Sequence, residues 1–231
     1  MNNFSQFQVL TFDCYGTLID WKSGLRSALI PILRRHGVAI SLKRLLQLYG
    51  QFERELQSEQ PFRDYRSILQ SIVLRLGHTL DFHPTADDTA SLPDSLGGWP
   101  PFPDTVPALK ALKQRFKLAI ISNTDRDLLA LTLQKLEIDF DWLITSQDVG
   151  RYKPSHENFH YALKTIGLPK TQVLHVAQSM YHDIAPARQL GIATLWINRG
   201  DTTLTPDVDA EPDWLAPNLT QASRLLLSKA R

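Results

Sequence analysis

The stretch FQVLTFDCYGTL, residues 7–18, decides the fold. Its first six residues form an apolar run of the length of a buried strand, and Asp13 follows that run directly. Gly16 permits a sharp turn after the strand, and the Thr17 hydroxyl can hydrogen-bond toward the strand end. An aspartate in this position either caps the following turn or lies at the mouth of a sheet, where ligands bind.

Further short apolar runs follow, separated by segments with helical periodicity. Such alternation predicts an α/β fold, in which helices cover both faces of a parallel sheet. The predicted strands are Phe7–Phe12, Leu118–Ile121, Trp142–Thr145, Val173–Val176 and Ala193–Ile197, and the predicted helices are Val106–Arg115, Arg126–Leu136, His156–Thr165 and Ile184–Leu190.

One region interrupts the alternation, because residues 21–97 show only helical periodicity, with three amphipathic helices. The following segment DSLGGWPPFPDTVP is dense in glycine and proline, which predicts a linker. We therefore expect a core domain made of residues 1–20 and 98–231 and a helical cap domain made of residues 21–97. A cap that moves over a site at the strand ends is the natural arrangement.

Polar residues also follow the other predicted strands. Ser122 and Asn123 either cap the next helix or hold an anionic oxygen. Lys153 is either a solvated lysine or a fixed positive charge beside a nucleophile. The aspartate that ends QSMYHD, residues 178–183, either complements a helix dipole, activates water or binds a metal. Ligands of such sheets bind at the carboxyl ends of the strands, where all these residues are expected.

Taken together, the segments FDCYGTLID, ISNT, YKP and HVAQSMYHDIAPARQLGI resemble the four motifs of the haloacid dehalogenase (HAD) superfamily. The resemblance covers nearly the whole chain and implies a Rossmann-like parallel sheet core with an all-helical cap inserted after the first strand. It implies that Asp13 is the nucleophile, that Lys153 neutralises charge beside it, and that Asp183 serves hydrolysis of the resulting ester. Thr17 and Ser122 would hold the Asp13 carboxylate or the substrate.

Two residues of this chain differ from the pattern of the superfamily's phosphatases, and these differences indicate the branch to which the chain is similar. Those enzymes usually carry a second aspartate two residues after the nucleophile, where this chain has Tyr15, and a phenol with a pKa of about 10 is a poor acid near pH 7. Gln178 likewise replaces an acidic residue that helps to hold Mg²⁺, which leaves a weak magnesium site. The form Asp-x-Tyr-Gly-Thr-Leu resembles the (S)-2-haloacid dehalogenases, which implies metal-free hydrolysis of 2-haloalkanoic acids to 2-hydroxy acids and halide through an aspartyl ester.

The chain also departs from those dehalogenases. Tyr49 lies near the position of their halide-binding arginine on the second cap helix, with Arg54 and Arg66 as nearby candidates, and Phe159 replaces a usual tyrosine. The residues expected to bind substrate are Tyr15, Thr17, Tyr49, Ser122, Asn123, Gln178 and Ser179.

Composition limits the partners and the compartment. The 231 residues include 25 basic and 24 acidic side chains, which gives no indication of a nucleic-acid or membrane surface. The single cysteine, Cys14, excludes an internal disulfide and suits the cytoplasm, and neither a signal peptide nor an apolar run of about 20 residues is evident. We expect a small carboxylate substrate and no resident cofactor, and a homodimer is compatible with the sequence.

Two alternatives remain open at the level of sequence. One is a Mg²⁺-dependent phosphatase whose missing acid comes from the cap. The other is a binding protein that has kept the fold and lost turnover.

Overall fold

Six parallel strands form the sheet, with β1 at its centre. The structure, a computed structural model, describes residues 4–200 and 208–228. The strand order is β3-β2-β1-β4-β5-β6, and every neighbouring pair is parallel, so the predicted α/β fold is confirmed. The strands are β1 Val9–Phe12, β2 Lys117–Ser122, β3 Trp142–Thr145, β4 Val173–Ala177, β5 Ala193–Ile197 and β6 Trp214–Ala216.

The strands follow from their apolar sequences. All four residues of β1 are buried, as are all five of β4, because helices cover both faces of the sheet centre. The predicted bounds of β3 and β5 agree with the structure. β1 begins two residues later than predicted, since Phe7 packs its ring against Trp214 at 5.8 Å instead of pairing in the sheet. The short edge strand β6 was not predicted, because only three residues pair and one of them is exposed.

Ten α-helices lie in the described residues, and five of them, α1 to α5, lie between β1 and β2. They are α1 Trp21–Arg35, α2 Leu42–Ser58, α3 Tyr65–Thr79, α4 Ala86–Asp94, α5 Thr105–Leu112, α6 Arg126–Leu136, α7 Ser146–Val149, α8 His156–Ile166, α9 Ala185–Gln189 and α10 Leu219–Leu227. The prediction of a helix over Ile184–Leu190 was partly wrong, because a π-helical turn over Met180–Ile184 precedes the shorter α9.

The four helices α1 to α4, called the cap from here on, begin where side chains can satisfy their first backbone N–H groups. Asp20, Ser41 and Asp64 each accept a hydrogen bond from the residue three positions on, at the starts of α1, α2 and α3. The prediction of a structureless linker over residues 94–107 was wrong in part. A 3₁₀ turn forms over Leu96–Gly98, and α5 begins at Thr105.

One apolar cluster joins the cap to the core. It runs from Leu10 in the sheet through Leu25, Leu45 and Ile68 in the cap to Leu219 near the end of the described chain. At the boundary, a Cβ atom on Gly24 would lie 2.3 Å from the Trp99 ring, so only glycine fits at that position of α1. Within residues 4–200 and 208–228, no helix is both long and apolar enough to cross a membrane.

Candidate active site

The carboxyl ends of the three central strands converge on one point. Asp13 follows β1, Ser122 ends β2, and Gln178 follows β4. The chain runs outward from β1 through β2 to β3, and then returns to β4 on the other side of β1 and continues outward to β6. Ligands of parallel sheets bind at such a switch point, which here lies between β1 and β4.

Lys153 joins two carboxylates at this point. Its Nζ donates to Asp13 Oδ1 at 2.9 Å, to Asp183 Oδ1 at 2.7 Å and to the Ile121 carbonyl at 2.8 Å. Lys153 is 2% exposed, so the structure excludes the alternative of a solvated surface lysine, which the sequence had left open. A buried ammonium with three oxygen partners has all its donors used and serves as a fixed positive charge.

Burial and charge shift the pKa values of this triad in different directions. Burial raises the pKa of Asp13 above its ordinary value of 3.8, while Lys153 opposes that rise. For Asp183, burial is outweighed by Lys153 and His175, which hold its pKa below the ordinary value. Burial alone would lower the pKa of Lys153, but the two carboxylates raise it. These directions favour the charged forms of Asp183 and Lys153, whereas for Asp13 burial opposes the charge and Lys153 supports it.

The second oxygen of Asp13 is held by the loop that follows β1. Thr17 Oγ1 donates to Asp13 Oδ2 at 2.8 Å and accepts from the Gln178 backbone N–H at 2.9 Å. Gly16 has a φ of +100°, and a Cβ there would lie 3.2 Å from Gln178 Oε1. The turn therefore requires glycine, and it places the Thr17 hydroxyl where it orients the carboxylate.

The side chain of Asn123 holds the backbone of Lys153 in place. Its side chain accepts from the Lys153 backbone N–H at 2.7 Å and donates to the Lys153 carbonyl at 3.0 Å. Neighbouring Ser122 differs, because its buried Oγ has no hydrogen-bond partner among the described residues. A buried unsatisfied hydroxyl at the strand end is available to a ligand. The helix cap weighed for this segment is not used, since the N-cap residue of α6 is Asp125.

Asp183 has one oxygen engaged and one free. Oδ1 accepts from Lys153 and contacts His175 Nε2 at 3.0 Å, while the other ring nitrogen of His175 lies 2.8 Å from Thr11 Oγ1. Oδ2 is buried without a hydrogen-bond partner in the described part of the chain. His175 was not predicted as a site residue, although a histidine within the apolar run of β4 was the available signal.

The π-helical turn brings further polar groups to the same edge. Ser179 Oγ accepts from the His182 backbone N–H at 3.0 Å and lies 3.2 Å from His182 Nδ1. Burial lowers the pKa of His182 to about 4, so its ring is neutral near pH 7. Gln178 is anchored through its carbonyl, which accepts from Trp196 Nε1 at 2.8 Å.

Tyr15, two residues after Asp13, has its hydroxyl tied away from proton transfer. The hydroxyl lies 2.8 Å from Thr132 Oγ1 on α6. Burial raises the pKa of the phenol well above its ordinary value of 10.0. The ring lines the site, so Tyr15 contributes a wall and a poor acid.

The cap contributes a row of side chains spaced four residues apart on α2. Tyr49 and Tyr65 both donate to Glu53 Oε1, at 3.0 and 2.5 Å, and Gln57 Oε1 accepts from Asn123 Nδ2 at 3.4 Å. Glu53 and Gln57 were not predicted, although the four-residue spacing from Tyr49 was visible in the sequence.

The structure separates the three cap residues considered for halide binding. Tyr49 and Arg54 line a side cavity of about 100 Å³ next to the nucleophile. Arg66 lies elsewhere, in exposed ion pairs with Asp94 and Asp127, so its candidacy was wrong.

The triad faces a small cavity between core and cap, of about 80 Å³. It joins the side cavity, with which it shares Tyr15, Glu53, Ser179 and His182. Its lining is Asp13, Tyr15, Glu53, Gln57, Ser122, Asn123, Lys153, Ser179, His182 and Asp183. Of the predicted site residues, Tyr49 and Gln178 line the side cavity instead, and Thr17 lies behind Asp13.

Magnesium, which phosphatases of the resembled superfamily use, fits these residues poorly. Mg²⁺ prefers six oxygen ligands in octahedral geometry. In the described ranges, no group of three or more histidine, cysteine, aspartate or glutamate side chains is placed to hold a metal ion. Asp183 Oδ2 is one carboxylate oxygen left free, whereas both oxygens of Asp13 already accept hydrogen bonds.

The fold and this site define a class of protein. A family profile for haloacid dehalogenase-like hydrolases matches residues 7–191, and the chain belongs to that family of hydrolases.

Particular relatives include enzymes with different substrates. The chain is 29% identical to an (S)-2-haloacid dehalogenase of Pseudomonas fluorescens over 96% of this chain and 97% of that one. It is 32% identical to the pyrimidine 5'-nucleotidase YjjG of Escherichia coli, over 54% of this chain and 56% of that one. Its fold matches that of L-2-haloacid dehalogenase from Xanthobacter autotrophicus with chloropropionic acid covalently bound, with a TM-score of 0.83, 21% identity, and 97% and 100% of the two chains covered.

Proposed function

We propose that the protein is a hydrolytic dehalogenase that converts 2-haloalkanoic acids to 2-hydroxy acids and halide. The observation that carries the proposal is that Asp13 is held ready for attack, whereas Tyr15, two residues later, is held away from proton transfer. Asp13 is oriented by Thr17 and Lys153, whereas Tyr15, where an acid would protonate an alcohol leaving group, is tied to Thr132. A halide leaves as an anion and needs no such proton. The similarity to (S)-2-haloacid dehalogenases along almost the full chain supports the same activity.

In the first step, a carboxylate oxygen of Asp13 attacks C2 of the substrate. A carbon–oxygen bond forms, the carbon–halogen bond breaks, and the halide leaves with the electron pair. Thr17 and Lys153 fix the direction of the carboxylate, so the reactants meet without a further loss of orientational freedom. The neutral ester left on Asp13 relieves one of the two negative charges beside Lys153.

In the second step, water hydrolyses the ester at Asp13 Cγ. The unpartnered oxygen Asp183 Oδ2 accepts a hydrogen bond from this water and takes its proton, while Lys153 and His175 hold the other oxygen in place. Cleavage of the bond between Cγ and the ester oxygen releases the 2-hydroxy acid, whose new hydroxyl receives that proton. The second proton of the water is then lost from the Asp13 carboxyl to solvent, which restores the carboxylate. We propose that no metal ion takes part.

Halide release tests this activity directly. Wild type and Asp13→Asn are compared on chloroacetate, 2-chloropropionate and fluoroacetate with EDTA present. Release by the wild type alone is the expected result, because only the ionised carboxylate can displace the halide. Absence of release from all three acids would contradict the proposal for these substrates.

The ester intermediate gives an independent test. Asp183→Asn keeps the size of the side chain but removes the base, so 2-chloropropionate should leave the protein heavier by one carboxyethyl group on the peptide that contains Asp13. Intact-protein and peptide mass spectrometry measure this. A variant that turns over at the wild-type rate, or label on any other peptide, would refute the two-step route.

A phosphatase is the second candidate, because the cap carboxyl of Glu53 lines the same cavity as Asp13 and could replace the missing acid. The similarity to a nucleotidase over about half the chain is compatible with it. A panel of small phosphate esters with Mg²⁺ separates the two activities, since phosphate release that EDTA abolishes belongs to the phosphatase alone. A protein that releases neither halide nor phosphate, and whose binding of small acids is the same in Asp13→Asn, would fit a binding function.

A further inference from the structure

Glu53 is a cap residue that faces the nucleophile. It lies on α2 and lines the same cavity as Asp13 and Lys153, which belong to the core. Burial is the largest cause of the raised pKa of Glu53, and the charge of Asp13 adds a smaller rise, so the two carboxyl groups sense each other.

Two phenols fix one oxygen of the Glu53 carboxyl. Tyr49 and Tyr65 donate to Oε1 at 3.0 and 2.5 Å, and their hydroxyls lie 3.0 Å from each other. The hydrogen-bond donors are therefore neutral groups instead of cations. With Oε1 held on the tyrosine side, Oε2 is the atom left to meet a ligand.

The charge inside the cavity decides which form of Glu53 is compatible with an acidic substrate. Lys153 supplies one cation against the anions Asp13 and Asp183, Arg54 adds a second cation in the adjoining side cavity, and a substrate carboxylate adds another anion. An ionised Glu53 would add one more, whereas a neutral carboxylic acid carries no charge and has a proton to donate.

The surroundings of Glu53 shift its ionisation equilibrium toward the neutral acid. Burial is the largest influence and raises the pKa of the carboxyl, and the charge of Asp13 raises it further. The hydroxyls of Tyr65 and Tyr49 and the guanidinium of Arg54 act in the opposite direction, but the pKa remains above its ordinary value of 4.5.

We propose that Glu53, as a neutral carboxylic acid, donates a hydrogen bond from Oε2 to the carboxylate of the substrate and so makes the cavity selective for small monocarboxylic acids. This inference rests on the proposed dehalogenase function, because it concerns the substrate of the same cavity. In this role Glu53 is a binding and specificity residue of the cap. The group that it offers to the substrate carboxylate is a neutral hydrogen-bond donor instead of a cation.

The probe for the test is propionate, an unreactive acid of the size of the proposed substrates. Binding is followed by titration calorimetry and by the fluorescence of Trp21 and Trp99, which line the side cavity. The measurements use an Asp13→Asn background, which removes the other carboxyl whose pKa burial raises.

Few groups around the cavity then titrate in the neutral range. His182 has its pKa lowered to about 4, that of Asp183 is lowered, and that of Lys153 is raised. The phenols of Tyr49 and Tyr65 have pKa values well above 10.0. His175 lies behind Asp183, with its Nε2 3.0 Å from Asp183 Oδ1. Only a pH dependence that disappears when Glu53→Gln is added to Asp13→Asn is therefore assigned to Glu53.

The expected result is that Asp13→Asn binds propionate more weakly as the pH rises and Glu53 ionises. Adding Glu53→Gln should keep the affinity found at low pH and remove its pH dependence, because the amide donates a hydrogen bond and has no charge. Adding Glu53→Ala should weaken binding at low pH by about ten- to a hundredfold, the value of a hydrogen bond to a charged group. The matched control Glu55→Gln, on the same helix and exposed, should leave affinity and pH dependence unchanged.

Two results would overturn the inference. One is an Asp13→Asn/Glu53→Gln protein that retains the pH dependence or binds as weakly as the Glu53→Ala protein. The other is a Glu53→Gln enzyme whose kcat collapses at unchanged KM, which would make Glu53 a proton donor in the reaction. Propionate binding with the expected pH dependence, but without halide release by the wild type, would refute the dehalogenase function and leave carboxylate recognition by Glu53 in place.

Discussion

At the scale of single residues, Lys153 is the side chain on which the site depends most. It is almost fully buried and contacts both catalytic candidates, Asp13 and Asp183. Removal of one partner from a buried ion pair costs far more than the pair contributes, because the remaining charges lose their compensation.

We therefore expect Lys153→Met to lower the free energy of unfolding by about 3–5 kcal/mol at pH 7 and to abolish activity. Without the ammonium, both carboxylates have folded-state pKa values above their unfolded ones. The folded protein then binds more protons than the unfolded chain. The loss in free energy of unfolding caused by Lys153→Met should therefore shrink as the pH falls toward 5. Urea unfolding at several pH values measures this.

The control is Lys110→Met, which removes an exposed pair with Glu137. Its effect should stay within about 0.5 kcal/mol at every pH. A Lys153→Met protein as stable as this control would contradict a buried ion triad.

The pKa of Asp13 predicts the acid side of the pH profile. Attack requires the carboxylate, and burial raises the pKa of Asp13 above 3.8, so kcat/KM should fall on acidification with an apparent pKa above that value. Thr17 donates to the carboxylate and favours its charged form, so Thr17→Val should move the acid limb to higher pH. A limb at or below 3.8, or a shift of the variant to lower pH, would disagree with the structure.

At the scale of secondary-structure elements, the start of α3 shows how the core holds the cap. Asp125 occupies the N-cap position of α6 without capping that helix. Its oxygens instead accept from the backbone N–H groups of Tyr65 and Arg66, each at 2.9 Å, across the boundary between the domains. One carboxylate thus satisfies two N–H groups at the positive end of a cap helix.

Asp125→Asn should therefore loosen the cap, because an amide offers one acceptor oxygen where two are used. We expect a loss of about 1–2 kcal/mol of stability and faster hydrogen exchange in the first turn of α3. The comparison is Asp127→Asn, which removes only the exposed pair with Arg66 and should leave exchange in that turn unchanged. Equal exchange in both variants would show that the cap is held by other contacts.

At the scale of the whole molecule, the cap and the sheet share one apolar cluster, which includes Leu10, Leu25, Ile68 and Leu219. Because the cap helices and the sheet share this cluster, the buried area is lost from both when either of them unfolds. Cooperative unfolding in a single transition is the consequence.

Urea unfolding should accordingly give coincident curves by tryptophan fluorescence and by far-ultraviolet circular dichroism. Gly24→Ala should shift both curves together to lower urea, because the new methyl group meets Trp99 at the domain boundary. The matched change Gly98→Ala has open space around it and should shift them little. Two separated transitions would indicate that the cap unfolds independently.

The strand centres, the helical insert after the first strand, and the candidates Asp13, Lys153 and Asp183 could all be predicted from the sequence. These features depend on local periodicity and on turn chemistry within a few residues, which the chain order displays. The bounds of β1 and α5 and the elements α4, β6 and α10 were missed or misplaced, because packing against distant residues decides where short elements begin.

Only the tertiary structure decided which side chains face Asp13. It brought Glu53 of the cap into the cavity, placed His175 against Asp183, and turned Tyr15 toward Thr132. It also removed Arg66 from the site by pairing it with Asp94 and Asp127. The physical reason is that these contacts join residues far apart in the chain, so they depend on how the cap helices pack against the sheet and not on any local pattern.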